Sequence, residues 1–214
     1  MSLEAGLRAG AAELGLALQD IQVRQLLDYM ALLAKWTKVY NLTAVRNEQD
    51  MLTHHLLDSL AVVEPLRRQH AGAGRLLDVG SGAGLPGVVL AIARPDLQVD
   101  CVDTVAKKAA FVQQVAVGMG LKNLRGIHAR VETLTDPYDI VCSRAFASLA
   151  DFVTLTRQAL APGGIWLAMK GKQPHAEIEG LPLGVDVFHV EQLAVPGLGA
   201  ERCIVWMRQA AEGR

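Results

Sequence analysis

The stretch RLLDVGSGAGLPGVVLAIARP, residues 75–95, decides how the chain is read. It opens with a short apolar run containing Asp78 and passes through a loop with four glycines in eight residues, Gly80, Gly82, Gly84 and Gly87. An apolar segment with Pro86 in its first turn follows. Strand, glycine loop and helix in that order form the first half of a βαβ unit, and proline is harmless in a first helical turn, where its missing N–H would lack a partner anyway. Glycine removes side chains where the chain must turn sharply and where a ligand must approach the backbone. Gly82, Gly84 and Gly87 satisfy the G-x-G-x-x-G dinucleotide fingerprint, but that match begins three residues after the strand rather than at its end. Counted from the strand end the pattern is D-x-G-x-G-x-G. That is the loop expected around the methionine portion of S-adenosylmethionine (SAM), a ligand with no pyrophosphate to seat on a helix N-terminus.

Downstream the rhythm of strand and helix continues. LQVDCVD (97–103), LRGIH (124–128), YDIVCS (138–143) and GIWLAMK (164–170) read as strands, with helices over 105–120 and 149–164. The segments 185–195 and 202–209, separated by the turn-rich PGLGAE, give a hairpin signal. The expected fold class is therefore α/β: a Rossmann-like, doubly wound, mostly parallel sheet with an antiparallel edge hairpin. Upstream, residues 1 to about 70 read as helices and form an N-terminal helical extension. Asp20 is placed to cap a helix carrying Val23, Leu26, Leu27, Met30 and Leu33 on one stripe, with Asn41 as its stop. Asn47 precedes a second helix bearing Leu52, Leu56, Leu60 and Val63, expected to end at Pro65. HAGAG (70–74) reads as the linker, dividing the chain into a helical extension packed on the core (1–74) and a ligand-binding domain (75–214).

Composition bounds what such a chain can be. With 214 residues, 51% of them hydrophobic and 20% charged, there is enough apolar surface for one sizeable domain with an appendage, which excludes disorder. No apolar run approaches the roughly 18 residues needed to span a bilayer. The first residues carry Glu4 and Glu13 inside the apolar stretch and are not expected to be a secretory signal. Cys101, Cys142 and Cys203 lie far apart without a CxxC, so neither a disulfide framework nor a metal site is expected, and a reducing, cytoplasmic location is. A net charge of −1 excludes a globally basic nucleic-acid binder but not a local basic patch.

Three further positions carry chemistry. Asp103 ends the second strand, 23 residues after Gly80, where a carboxylate can accept both hydroxyls of an adenosine ribose. NAD and SAM both satisfy that pattern, but the chain ends one hairpin after the core and lacks room for the second domain a hydride-transfer site usually needs. Ser143 and Arg144 follow the fourth strand, whose end borders the crevice in this architecture. No Pro-Cys nucleophile and no acid-or-Asn-Pro-Pro-aromatic motif is present there. Cys142, inside the strand, reads as a buried structural thiol. A site with an arginine and no evident base suits an acceptor that needs no deprotonation, such as guanine N7, with catalysis resting on alignment and electrostatics. Lys170 and Lys172, past the fifth strand, would add positive charge to the same rim. His54 and His55 lack a third ligand at metal spacing, and Trp36 with Tyr40 reads as a packing pair.

DVGSGAGLPGVVLAIARP, HARVE (128–132), SRAFASL (143–149), MKGK (169–172), KVYNLTAVR (38–46) and HHLLDSL (54–60) together resemble the RsmG (GidB) family of bacterial 16S rRNA guanine-N7 methyltransferases. The resemblance implies a class I methyltransferase fold and a SAM-dependent enzyme, releasing S-adenosylhomocysteine, that acts on a guanine in the decoding region of 16S rRNA. Its partner would be that rRNA or a small-subunit ribonucleoprotein. By the same resemblance Gly80 and Leu85 contact the methionine part of the cofactor, Val131 and Glu132 lie at the adenine, and Arg144 binds cofactor or substrate. Gly82 belongs to the same loop, and Ser143, Lys170 and Lys172 are expected to face the substrate. The family often has Thr or Cys and Pro where this chain has Ser81 and Ala83, changes that leave the loop geometry intact. The alternatives are a SAM-dependent methyltransferase for a small molecule or a protein, and a non-catalytic nucleotide-binding regulatory module.

Overall fold

The computed structural model describes residues 2–146 and 148–210. Seven strands form one sheet in the order β3-β2-β1-β4-β5-β7-β6. They are β1 (Gly74–Val79), β2 (Leu97–Asp103), β3 (Leu124–His128), β4 (Tyr138–Arg144), β5 (Leu160–Lys170), β6 (Val185–Leu193) and β7 (Arg202–Gln209). The first five are parallel, and β7 and β6 pair antiparallel at one edge. The doubly wound sheet with its edge hairpin is as expected. Strand order reverses between β1, which leads outward to β2, and β4, which lies on its other side. The ends of β1 and β4 therefore flank the crevice in which open α/β sheets take ligands.

Period-two alternation divides the core between the two faces. Leu76, Ile140, Cys142 and Leu167 point into one cluster, shared with α1 (Leu3–Glu13), α2 (Asp20–Tyr40), α6 (Gly87–Ala93) and α7 (Ala106–Gly118). Leu77, Val79, Val141 and Trp166 point into the other, covered by α8 (Leu149–Thr156). The N-terminal helices share the first cluster with the sheet, so one apolar core is continuous across residue 74. Each fully buried leucine there, such as Leu26, Leu33 or Leu56, contributes ~1.5–3 kcal/mol.

Local chemistry shifts several boundaries. Gln19, not Asp20, caps α2, because Gln22 Oε1 reaches back to the Gln19 N–H (2.9 Å). Asp20 lies in the first turn and pairs with Arg8 at 2.8 Å. Asn41 stops α2 as expected, in the left-handed region at φ 51°. Asn47 caps α3 (Glu48–Met51), and the chain then passes through a π-helical stretch (Leu52–Leu57) into α4 (Asp58–Leu60). Pro65 does not end a helix. It sits in the first turn of α5 (Val63–Gln69), where the absent N–H is tolerated. The helix expected over 149–164 stops at Thr156, and β5 begins at Leu160, so the Pro-Gly-Gly residues lie within a strand that is irregular opposite Tyr138 and Ile140. A short helix, α9 (His175–Glu179), was not foreseen. None of the helices is long and apolar enough to cross a membrane among the described residues.

Candidate functional site

The loop after β1 is built around two acidic side chains. Asp78 Oδ2 accepts from the Gly87 N–H (2.8 Å), fixing the start of α6 beneath the strand. Asp103 Oδ2 accepts from the Gly82 N–H (3.0 Å) and its Oδ1 from the Val105 N–H (2.8 Å), so the end of β2 holds the loop from the side. From the helical extension, the Tyr29 hydroxyl donates to the Ala83 carbonyl at 2.8 Å. The glycines have separate tasks. A Cβ on Gly87 would lie 2.4 Å from Cys101 Sγ, so this glycine serves packing. At Gly82, φ is +59° and a Cβ would point into open space, its nearest neighbour the Gly80 carbonyl at 4.0 Å. That open cradle is what a ligand lying on the backbone requires.

Two hollows meet at Gly80. The first, of about 530 Å³, is lined by Leu42, His55, Asp58, Gly80, Gly82, Leu85, Arg144, Met169, Lys170 and Arg202, among others. The second, of about 380 Å³, is lined by Gly80, Asp103, Lys108, Val131, Glu132 and Phe146, among others. Both volumes fall in the range of small-ligand sites. The structure thus gathers the proposed methionine-side residues Gly80, Gly82 and Leu85 with Arg144 in one hollow, and the proposed adenosine-side residues Asp103, Val131 and Glu132 in the other.

Arg144, at the end of β4, does not stand alone. Its Nη1 donates to Asp58 Oδ2 (3.0 Å) and to the His54 carbonyl (2.9 Å), while Arg202 Nε donates to the other carboxylate oxygen of Asp58 at 2.8 Å. The Asp58 side chain is only 2% exposed. Sequence reasoning left Asp58 without a role and passed over Arg202. The π-helical stretch that delivers His54, His55 and Asp58 is of a kind found frequently at functional sites. Lys170 lines the hollow but is paired with Glu177, whose Oε1 and Oε2 lie 3.1 and 2.8 Å from its Nζ. Lys172 is exposed and lies outside both linings, and Ser143 is 3% exposed within the strand and also outside them. Ser143 and Arg144 are strand neighbours, so their side chains leave opposite faces of β4. Ala147 of the SRAFAS stretch lies outside the described residues.

On the wall of the first hollow, His55 is a poor proton acceptor near neutrality. Burial, reinforced by the nearby Arg144 charge, lowers His55 to about 4, and its Nε2 lies 2.8 Å from Thr43 Oγ1. Both oxygens of Asp58 are engaged by arginine. Burial pushes the Cys142 thiol well above its ordinary value, as expected of a structural cysteine. Burial also raises the Asp78 carboxyl to about 7. No group of three or more metal-ligating side chains is found among the described residues.

A family model described as rRNA small subunit methyltransferase G matches residues 22–205. The chain is 66% identical over 220 residues to the ribosomal RNA small subunit methyltransferase G of Acidovorax ebreus, covering 98% of this chain and 97% of that one. To the protein of the same name from Albidiferax ferrireducens it is 64% identical over 220 residues, covering 98% of both. Among solved structures it is similar to the glycopeptide N-methyltransferase MtfA complexed with SAM, with TM-score 0.60 and 12% identity over 73% of this chain and 96% of that one. That likeness concerns the fold alone.

Proposed function

The chain belongs to the rRNA small subunit methyltransferase G family, and from that premise we propose that it transfers a methyl group from SAM to N7 of a guanine in the decoding region of 16S rRNA. The observation that carries the choice of acceptor is the first hollow, where arginines line the wall while His55 is held neutral and Asp58 is consumed by ion pairs. Such a wall favours an acceptor that gives up no proton, and N7 offers a lone pair that needs none removed.

SAM supplies an electrophilic methyl group on a sulfonium. The open face of Gly82 and the adjoining hollows fit such an elongated ligand, with Gly80, Gly82 and Leu85 along the methionine and Asp103, Val131 and Glu132 around the adenosine. Each Asp103 oxygen accepts one backbone N–H and keeps a lone-pair direction for a ribose hydroxyl. Arg144 presents a planar fork able to hold a carboxylate, a phosphate or the O6/N7 edge of guanine. Beside a sulfonium its positive charge is repulsive, so it orients rather than activates. The chain's contribution to rate is then alignment and fixed dipoles.

Incubation with labelled SAM and total cellular RNA, followed by nuclease mapping, tests this reading. Label in 7-methylguanosine of small-subunit rRNA is expected. Label in another base, or in protein or small molecules alone, would overturn it.

A further inference from the structure

We infer that Asp58 is a positioning residue for methyl transfer: one buried carboxylate that holds Arg144 and Arg202 as a fixed pair of forks on the wall of the reaction hollow. The inference rests on the functional reading above and extends it to a residue whose carboxylate is already engaged by both arginines.

The geometry is specific. Asp58 divides its two oxygens, Oδ2 to Arg144 Nη1 and Oδ1 to Arg202 Nε. The two arginines come from different strands, β4 and β7, while the carboxylate comes from the helical extension at the start of α4. Each arginine is about a quarter exposed, whereas the carboxylate, which also borders the hollow, is almost wholly buried, so the forks present most of the polar surface there. Nη1 of Arg144 is also tied to the His54 carbonyl, and Nη1 of Arg202 to the Glu201 carbonyl. Among the described residues, Nε and Nη2 of Arg144 and Nη2 of Arg202 have no hydrogen-bond partner, which leaves donors on each fork for a ligand.

Charge explains why an acid is needed. Arg144, Lys170 and Arg202 line the hollow, and they would crowd like charges around a ligand that itself carries a sulfonium. Asp58 and Glu177 reduce that excess to a single positive charge. Without the Asp58 carboxylate the two guanidiniums would repel each other, and neither would hold the orientation a planar acceptor edge demands. Buried ion pairs contribute little net stability when compared with apolar replacements, and specificity of geometry is their better-supported use.

A double-mutant cycle on single-turnover methyl transfer to small-subunit rRNA tests this, at saturating SAM and RNA, with Asp58→Asn, Arg144→Gln and the combination. Each single variant should slow transfer by ~10²-fold, the scale of a lost oriented electrostatic contact. The combination should be little slower than the slower single variant, because the carboxylate acts through the guanidinium. Multiplicative losses in the double variant, or full activity in Asp58→Asn, would overturn the inference while leaving the methyltransferase reading intact. A wild type that transfers no methyl group to rRNA would overturn that reading, and the inference with it. If Asp58→Asn does not fold, Asp58→Asn combined with Arg202→Gln restores the charge balance and is compared with Arg202→Gln alone. A further ~10-fold loss supports the clamp, and equal rates overturn it.

Discussion

Replacing Asp78 by asparagine should stabilise the protein, and the gain should grow with pH. The carboxyl is fully buried between the sheet and α6, with Oδ2 accepting from Gly87 and Oδ1 lacking a partner among the described residues. Burial raises its pKa from an ordinary 3.8 to about 7. A raised carboxyl contributes stability in full below 3.8, and that contribution is lost as pH rises through 7. At ~1.4 kcal/mol for each tenfold change, the interval corresponds to at most ~4 kcal/mol. Asp78→Asn keeps the acceptor for Gly87 and removes the titration. The variant should match wild type near pH 4 and exceed it by up to ~4 kcal/mol at pH 8, raising Tm by on the order of 10 °C. His55 works in the opposite direction. Its pKa is lowered to about 4, so the stability of keeping it neutral is complete above 6.5 and lost as pH falls toward 4. In the wild type the two slopes oppose each other between pH 4 and 6.5. In Asp78→Asn the His55 slope should stand alone, with stability falling as the solution is acidified through that window. Urea denaturation followed by far-UV circular dichroism at half-unit pH steps reads both effects. A difference between variant and wild type that does not change from pH 4 to 8 would refute the reasoning.

Asp103→Ala should weaken SAM binding by ~1–3 kcal/mol, through lost hydrogen bonds to ribose and release of the Gly82 amide, as measured by calorimetry; unchanged affinity would remove Asp103 from the site. Gly82→Val places a β-branched residue at φ +59° and a side chain in the open cradle, so SAM binding should be lost while urea unfolding stays cooperative with a cost of ~1–2 kcal/mol. Arg144→Ala should cut methyl transfer at least ~10²-fold. It should also lower stability by ~1–3 kcal/mol, because Asp58 would keep only Arg202 as a partner in a buried setting. Arg144→Lys should restore the stability better than the rate, since a point charge cannot reproduce the fork.

What the sequence revealed follows from how local each signal is. The meeting of the glycine loop with Asp103 was legible because a strand–loop–helix unit and the end of the next strand lie within about 30 residues of each other. The sheet was legible because apolar strands alternate with helical segments. Asp58 was not, because its partners lie 86 and 144 residues away, on β4 and β7, and only the assembled sheet with the helical extension packed on it brings them together. Ser143 lies buried in β4 outside both linings, because adjacent strand residues point oppositely and Arg144 takes the side of the first hollow. Lys170 reads in sequence as a free rim charge, whereas the unforeseen α9 supplies its acid, Glu177. Pro65 looked like a stop because a proline can sit either after one helix or inside the first turn of the next, and the break near Ala61 carries no glycine to mark it.

The hydrogen bond from Tyr29 to the Ala83 carbonyl bears on how such proteins can be recombined. The donor sits in the middle of α2 and the acceptor in the loop after β1, 54 residues later, and both are buried. A chimaera that takes its first 73 residues from a distant relative therefore inherits a foreign anchor for the loop as well as a foreign helical surface. Such a graft would keep its secondary structure and its overall shape, yet lose affinity for its methyl donor unless the hydroxyl at that helix position travels with it. A crossover point that spares the loop lies before Tyr29, for instance between α1 and α2, and not within residues 70–74, where a domain boundary would invite the cut.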